Sequence, residues 1–136
     1  MIEFHLDRGS GVAAYLQVVH QVKQALRLGM LQPGDQLPTV RDVVAQLAIN
    51  PNTVLKAYRE LEMEGLVAGR QGQGTFVLKS LAGPALAGHA ELRAELVEWL
   101  QRAWKAGMDD ESIAALMATT LREQTTARTK REEGAA

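Results

Sequence analysis

No cysteine occurs in the chain, which removes disulfides and thiolate metal ligands from consideration. No apolar run approaches the length needed to cross a bilayer, and the opening residues, MIEFHLDRGSG, lack a basic segment followed by an apolar one. A cytoplasmic protein with no membrane partner is therefore the default expectation. An excess of positive charge is also missing: 15 Lys/Arg against 16 Asp/Glu leave a net charge of −1, which by itself gives no support to a nucleic-acid partner. His5, His20 and His89 are scattered without ligand spacing, and GQGTF is not followed by the Gly-Lys-Ser/Thr of a phosphate loop. No nucleophile and base form a set. These gaps predict a protein that is not an enzyme and needs neither cofactor nor metal. Asp109, Asp110 and Glu111 read as the acidic start of a helix rather than a metal site.

What is present suffices for a core. The 136 residues, 46% of them hydrophobic, suit one compact domain with a small appendage. Charge is unevenly placed: residues 1–80 hold 8 Lys/Arg and 7 Asp/Glu, residues 81–136 hold 7 and 9. No acid lies between Asp42 and Glu60, nor from Gly65 to Ala90.

The alternating EFHLD reads as a strand or extended arm. Tyr15, Leu16, Val19, Val22 and Leu26 then recur at helical spacing, predicting an amphipathic helix over about residues 12–28 that Gly29 caps. Pro33-Gly34 and Pro38 mark LQPGDQLP as a turn segment. TVRDVVAQL opens with a Thr-x-x-Asp capping pattern on Thr39 and buries Val40, Val43, Val44 and Leu47. After the short AIN connection, Asn50 serves as N-cap and Pro51 as first residue of a helix whose apolar face is Val54, Ala57, Tyr58 and Leu61. Gly65 ends it. Two helices so tightly joined predict a helix-turn-helix. LVA and TFVL around GRQGQG predict a hairpin with a loop longer than two residues, which makes a winged helix-turn-helix of residues 1–80. Residues 81–90, LAGPALAGHA, read as a linker.

From Glu91 the helical period returns in two segments separated by Gly107, with Asp109 as cap of the second, and TTARTKREEGAA reads as a frayed polar tail. The fold class expected is mainly α with a small β wing, followed by a two-helix segment over residues 91–136.

The first turn of the second helix of the helix-turn-helix carries amides and a hydroxyl that the local fold does not require. Such a helix inserts its N-terminal end into the major groove and must offer hydrogen-bonding groups there. At 100° per residue Asn52, Lys56 and Arg59 share one face, with Thr53 beside it and Val54, Ala57 and Leu61 opposite. Asn suits adenine, and Lys suits guanine or phosphate. The bland alternative makes Asn50 and Thr53 local caps and Lys56 and Arg59 a solvated surface. Arg41, on the preceding helix, faces the DNA backbone or pairs with Asp42 or Asp35. Arg70, Gln71, Gly72 and Gly74 form a tip suited to the minor groove. With the capping Thr39 these residues make up the candidate DNA-binding set.

PGDQLPTVRDV, INPNTV, AYRELEMEGLV and GQGTFV follow one another in the order found in GntR-family bacterial transcription regulators. Residues 2–78 resemble that family's DNA-binding domain, and NPNTV with the short C-terminal part resembles its small YtrA-type subfamily. The resemblance implies that Arg41 grips phosphate or a base, that Asn50, Asn52 and Thr53 begin the recognition helix, and that Gly72 and Gly74 form the wing tip. Long-effector relatives carry arginine where Pro51 and Leu55 stand here, so those base contacts do not carry over. Leu55 instead suits a thymine methyl, and GQGT is less basic than the usual wing.

Two C-terminal helices cannot cover their own apolar stripes. Leu92, Leu96, Trp99, Leu100, Ala103, Ile113, Leu116, Met117 and Leu121 are therefore expected to pack against a second copy in a four-helix arrangement, the alternative being the chain's own winged domain. Relatives with this short tail are dimers, so the expected function is a homodimeric repressor on a palindromic double-stranded operator. The resemblance further implies control of its own operon, commonly one for an ABC-type transporter. A small-molecule effector, if one exists, has room only between subunits or between the two parts of the chain. The competing reading is a winged-helix module whose same face binds a protein.

Overall fold

The computed structural model describes residues 2–83 and 89–135. Half of the expected linker, residues 84–88, lies outside the described residues. Five helices and one hairpin follow in order: α1 Ala14–Arg27, α2 Val40–Leu47, α3 Pro51–Met63, β1 Val67–Arg70, β2 Gly74–Val77, α4 His89–Lys105 and α5 Asp110–Ala135. The chain divides into two compact units between His89 and Ala90.

In the first unit α1 and α2 both pack on α3, and α3 on β1. Val18, Val19, Val22 and Leu26 of α1 meet Val54, Ala57, Tyr58 and Leu61 of α3 in one core, closed by Leu37, Val43, Leu66, Val67 and Val77. Leu81, past the expected end of the domain, also packs against this core. α2 begins with the predicted capping box: Thr39 Oγ1 accepts from the Asp42 backbone N–H at 3.1 Å, and the Asp42 carboxylate accepts from the Thr39 N–H at 3.2 Å. α2 ends at Ala48, held in the left-handed region at φ 52°, ψ 46°, so that the chain turns into α3 without a glycine. Gly65, with φ 75°, terminates α3 as its spacing suggested.

The hairpin pairs Val67 with Val77 and Arg70 with Gly74, leaving a three-residue tip, Gln71–Gln73. A third extended piece joins it. The Leu37 N–H donates to the Thr75 carbonyl and the Val77 N–H to the Asp35 carbonyl, so part of the expected turn segment borders the wing. Pro33 and Pro38 mask this in the sequence because they limit it to a few residues.

Among the described residues, EFHLD is an extended arm without a strand partner. Glutamine side chains hold its backbone: Gln46 of α2 accepts from the Phe4 N–H at 3.3 Å, the Gln21 amide of α1 exchanges hydrogen bonds with His5 at 3.1 and 2.7 Å, and Gln17 of α1 does the same with Asp7 at 2.8 and 2.9 Å. Gln17 and Gln21 are one helical turn apart, and the residues they hold are two apart, the strand repeat. Phe4, just before them, is buried in the core, and Leu6, between them, packs against it half-buried.

The second unit is a helical hairpin turned at Gly107. Asp109 Oδ1 accepts from the Ser112 N–H at 2.7 Å, and Trp104 Nε1 donates to Asp110 Oδ1 at 2.7 Å. The hydrogen bond from Ser112 holds the Asp109 carboxyl below its ordinary range. The segment expected to fray is helical to Ala135. Its residues are mostly good helix formers, and the hydroxyls of Thr125, Thr126 and Thr129 donate to carbonyls four residues back. This stretch has no apolar stripe to announce a helix and relies on helix propensity instead. No helix among the described residues is long and apolar enough to cross a membrane.

Candidate nucleic-acid interface

α3 begins with Asn50, whose side-chain oxygen accepts from the Asn52 backbone N–H at 2.8 Å. Its amide nitrogen is left to face solvent, because Asn50 is exposed. Asn52, Lys56 and Arg59 are exposed, Thr53 and Leu55 are half-buried, and Val54, Ala57 and Tyr58 face the core. The polar groups of the first turn thus stand outward from a helix whose other side is fixed. Arg41 is exposed on the first turn of α2. It pairs with neither Asp42 nor Asp35: Asp42 serves the Thr39 cap, and Asp35 accepts from the Gln32 N–H. Among the described residues, none of Arg41, Lys56, Arg59 and Arg70 forms a salt bridge.

The angle between α2 and α3 is pinned from within. The Tyr58 hydroxyl donates to the Pro38 carbonyl at 2.6 Å in a buried hydrogen bond just ahead of the α2 cap. Burial pushes the Tyr58 phenol above its ordinary pKa of 10.0, and the nearby Asp42 charge adds to the rise. The group stays protonated and keeps donating.

The wing tip is held by Gln36, whose amide donates to the Gln73 carbonyl at 3.0 Å. Gly74 sits at φ 120°, a backbone conformation that favours glycine, and a Cβ there would lie 2.5 Å from Gln36 Nε2 and displace that amide. An open cleft of about 500 Å³ separates the wing from the start of α2, lined by Thr39, Arg70, Gln71, Gly72 and Gly74 among others. The structure therefore brings the capping threonine together with the predicted wing residues. None of Asn50, Asn52, Thr53, Lys56 and Arg59 lines this cleft. They form a separate face along α3.

Two cations of this region rest on aromatic rings. Lys56 Nζ lies 4.0 Å from the centroid of Tyr15, on α1, and the Arg70 guanidinium lies 4.6 Å from that of Phe76. Tyr15, Phe76 and Gln36 were not among the predicted site residues. In the sequence Tyr15 is one member of an apolar stripe, and no local pattern links it to a lysine 41 positions away.

In the second unit Leu92, Leu96, Leu116, Met117 and Leu121 are exposed, and Trp99 and Leu100 are half-buried. Ala103 and Ile113, expected to meet a partner, are already buried in the single chain. An open groove of about 720 Å³ runs between Leu96 and Trp99 of α4 and Leu116, Met117, Thr120 and Leu121 of α5.

A sequence profile described as "Bacterial regulatory proteins, gntR family" matches residues 14–77. The HTH-type transcriptional repressor YtrA of Bacillus subtilis (strain 168) is 33% identical over 109 residues, 79% of this chain and 84% of that protein. Two further HTH-type regulators align over only 52% and 60% of their own length. Among solved structures, YtrA from Sulfolobus acidocaldarius, a GntR-family transcription factor, superposes with a TM-score of 0.52 at 28% identity, covering 72% of this chain and 97% of that one. AraR(DBD) in complex with operator ORX1 gives a TM-score of 0.51 at 27% identity, covering 57% of this chain and 99% of the other.

Proposed function

Because the chain belongs to the gntR family of bacterial regulatory proteins, we propose that it is a sequence-specific DNA-binding repressor, acting in the cytoplasm as a homodimer on a pseudo-palindromic operator. The observation that carries this reading is the exposed polar start of α3, where Asn50, Asn52, Lys56 and Arg59 stand clear of a fixed core with no acid paired to either cation. A protein-docking face would present apolar anchors at that turn instead. In the proposed complex Asn52 reads an adenine edge, Arg59 follows it along the groove, and Lys56 and Arg41 bring positive charge to the duplex. Arg70, carried by the ordered wing, reaches the adjacent minor groove.

In this reading residues 1–80 bind DNA and residues 91–136 dimerise, an assignment supported by the apolar groove between α4 and α5. Two recognition helices then address half-sites about 34–36 Å apart on one face of the duplex. The AraR complex with operator supports duplex DNA as the ligand, and the repressor YtrA supports the direction of control. Control of the chain's own operon, including genes for an ABC-type transporter, completes the proposal. An effector acting between subunits would alter the helix separation and so release the operator.

The test is a mobility-shift titration against the promoter upstream of the chain's own gene, at several salt concentrations. A salt-sensitive shift that Asn52→Ala abolishes on the preferred site supports the reading. Absence of any shift with folded protein rejects it.

A further inference from the structure

Lys56 and Arg70 are long, flexible side chains, and fixing either in one place costs rotamer entropy. In this chain of few aromatics, 4% of residues, each of these two cations nevertheless lies over a ring. The Lys56 case is the more telling because its ring comes from another helix: Tyr15 is on α1 and half-buried, Lys56 is on α3 and exposed. A ring anchored in the packing of α1 can hold the ammonium, whereas a neighbour on α3 would move with it. At 4.0 Å from the ring centroid the ammonium is in cation–π range. Such a contact engages one face of the –NH₃⁺ and leaves donors pointing away from the ring.

We propose that Tyr15 is a positioning residue of the DNA interface: it holds the Lys56 ammonium against α1, where it meets a backbone phosphate rather than a base edge. This rests on the DNA-binding reading above. A contact with the guanine edge requires lysine to extend along its own helix into the groove floor, and a Nζ fixed over a ring of α1 is drawn off that line. A phosphate, by contrast, lies at the groove wall and accepts a point charge from any direction. Lys56 then adds affinity and salt dependence without choosing sequence. Phe76 plays the corresponding part for Arg70 across the hairpin, where it is two residues from the Gly74 that pairs with Arg70.

The test uses the full chain and a duplex carrying the promoter upstream of its own gene. Affinity and salt slope are measured for the wild type, Tyr15→Phe, Tyr15→Leu, Lys56→Gln and the Tyr15→Leu/Lys56→Gln pair. Tyr15→Phe should match the wild type because the ring remains. Tyr15→Leu should weaken binding about two- to five-fold per half-site, the value of an exposed cation–π contact. Lys56→Gln should reduce the salt slope by about 0.9 per half-site and weaken all operator variants alike. In the Lys56→Gln background, Tyr15→Leu should change nothing further.

A purely structural Tyr15 gives additive losses, and that result overturns the inference, as does tighter binding by Tyr15→Leu. The ring-current shift of the Lys56 ε-methylene protons requires no substitution at Tyr15. An upfield shift that persists when the duplex is added agrees with the proposal; its absence, or its loss on binding, contradicts it. Failure of the wild type to bind any duplex rejects the proposed function itself. Wild-type binding with unchanged behaviour of the Tyr15 variants rejects only this inference.

Discussion

Tyr58→Phe removes one oxygen from the centre of the winged unit, and its consequences can be worked out. The hydroxyl donates to the Pro38 carbonyl at 2.6 Å, and both residues are buried. Deleting it leaves a buried acceptor unsatisfied in a cavity too small for water. The cost should be about 1–3 kcal/mol, with ~2 kcal/mol a reasonable centre. For a domain of this size that lowers Tm by roughly 8–16 °C. A second signature follows from the raised pKa of Tyr58. Below the ordinary value of 10.0 the phenol is protonated in both states, and its full contribution is present. Above that value the unfolded chain loses the proton while the folded chain keeps it, so wild-type stability falls by about 1.4 kcal/mol per pH unit. The Phe variant has no such group and escapes this loss. Urea titrations followed by far-UV circular dichroism at pH 7, 10 and 11 should therefore show a gap of ~2 kcal/mol that closes about one and a half units above pH 10. Tryptophan fluorescence is the wrong probe, since Trp99 and Trp104 both belong to the second unit. An equally stable Phe variant at pH 7, or a gap that stays constant to pH 11, would refute the reasoning.

Replacing Ala48 by glycine should stabilise the winged unit by about 0.5–1 kcal/mol, because relief of the left-handed strain exceeds the added backbone entropy; thermal melts of the two proteins decide it. Gly74→Ala should displace Gln36, weaken the hairpin by about 1–3 kcal/mol and speed amide exchange at the wing tip while α1–α3 remain protected. Leu121→Glu, on the exposed rim of the α4–α5 groove, should remove apolar contact worth about 1.5–3 kcal/mol per subunit and shift sedimentation toward the monomer, with weaker operator binding; an unchanged sedimentation profile would count against the groove as the dimer surface.

The helices of the winged unit were legible because each element carries its own instructions. The Thr39 capping box, Asn50 with Pro51, and Gly65 each mark a boundary through backbone chemistry that operates within three or four residues. The apolar stripe of α3 is buried residue for residue as its spacing predicts. The polar start of that helix was visible for the same reason, since outward-facing amides are what remains once the stripe is assigned. What escaped the sequence acts across distance. Gln36 reaches Gln73 and Tyr15 meets Lys56 only after α1, α3 and the wing have assembled. The third wing piece is concealed by prolines that normally end strands, and the arm uses side-chain amides where a pairing strand would be expected.

The glutamines that hold the arm bear no formal charge, and neither do the groups they grip. Dissolved ions have little purchase on such bonds. Within the first unit, the only ion pair among the described residues is the surface contact between Lys23 and Glu64. Added electrolyte should consequently leave this scaffold as it stands. A decline in operator affinity at high ionic strength can then be ascribed to counterions returning to the phosphodiester chain, with no loosening of the protein to confound it.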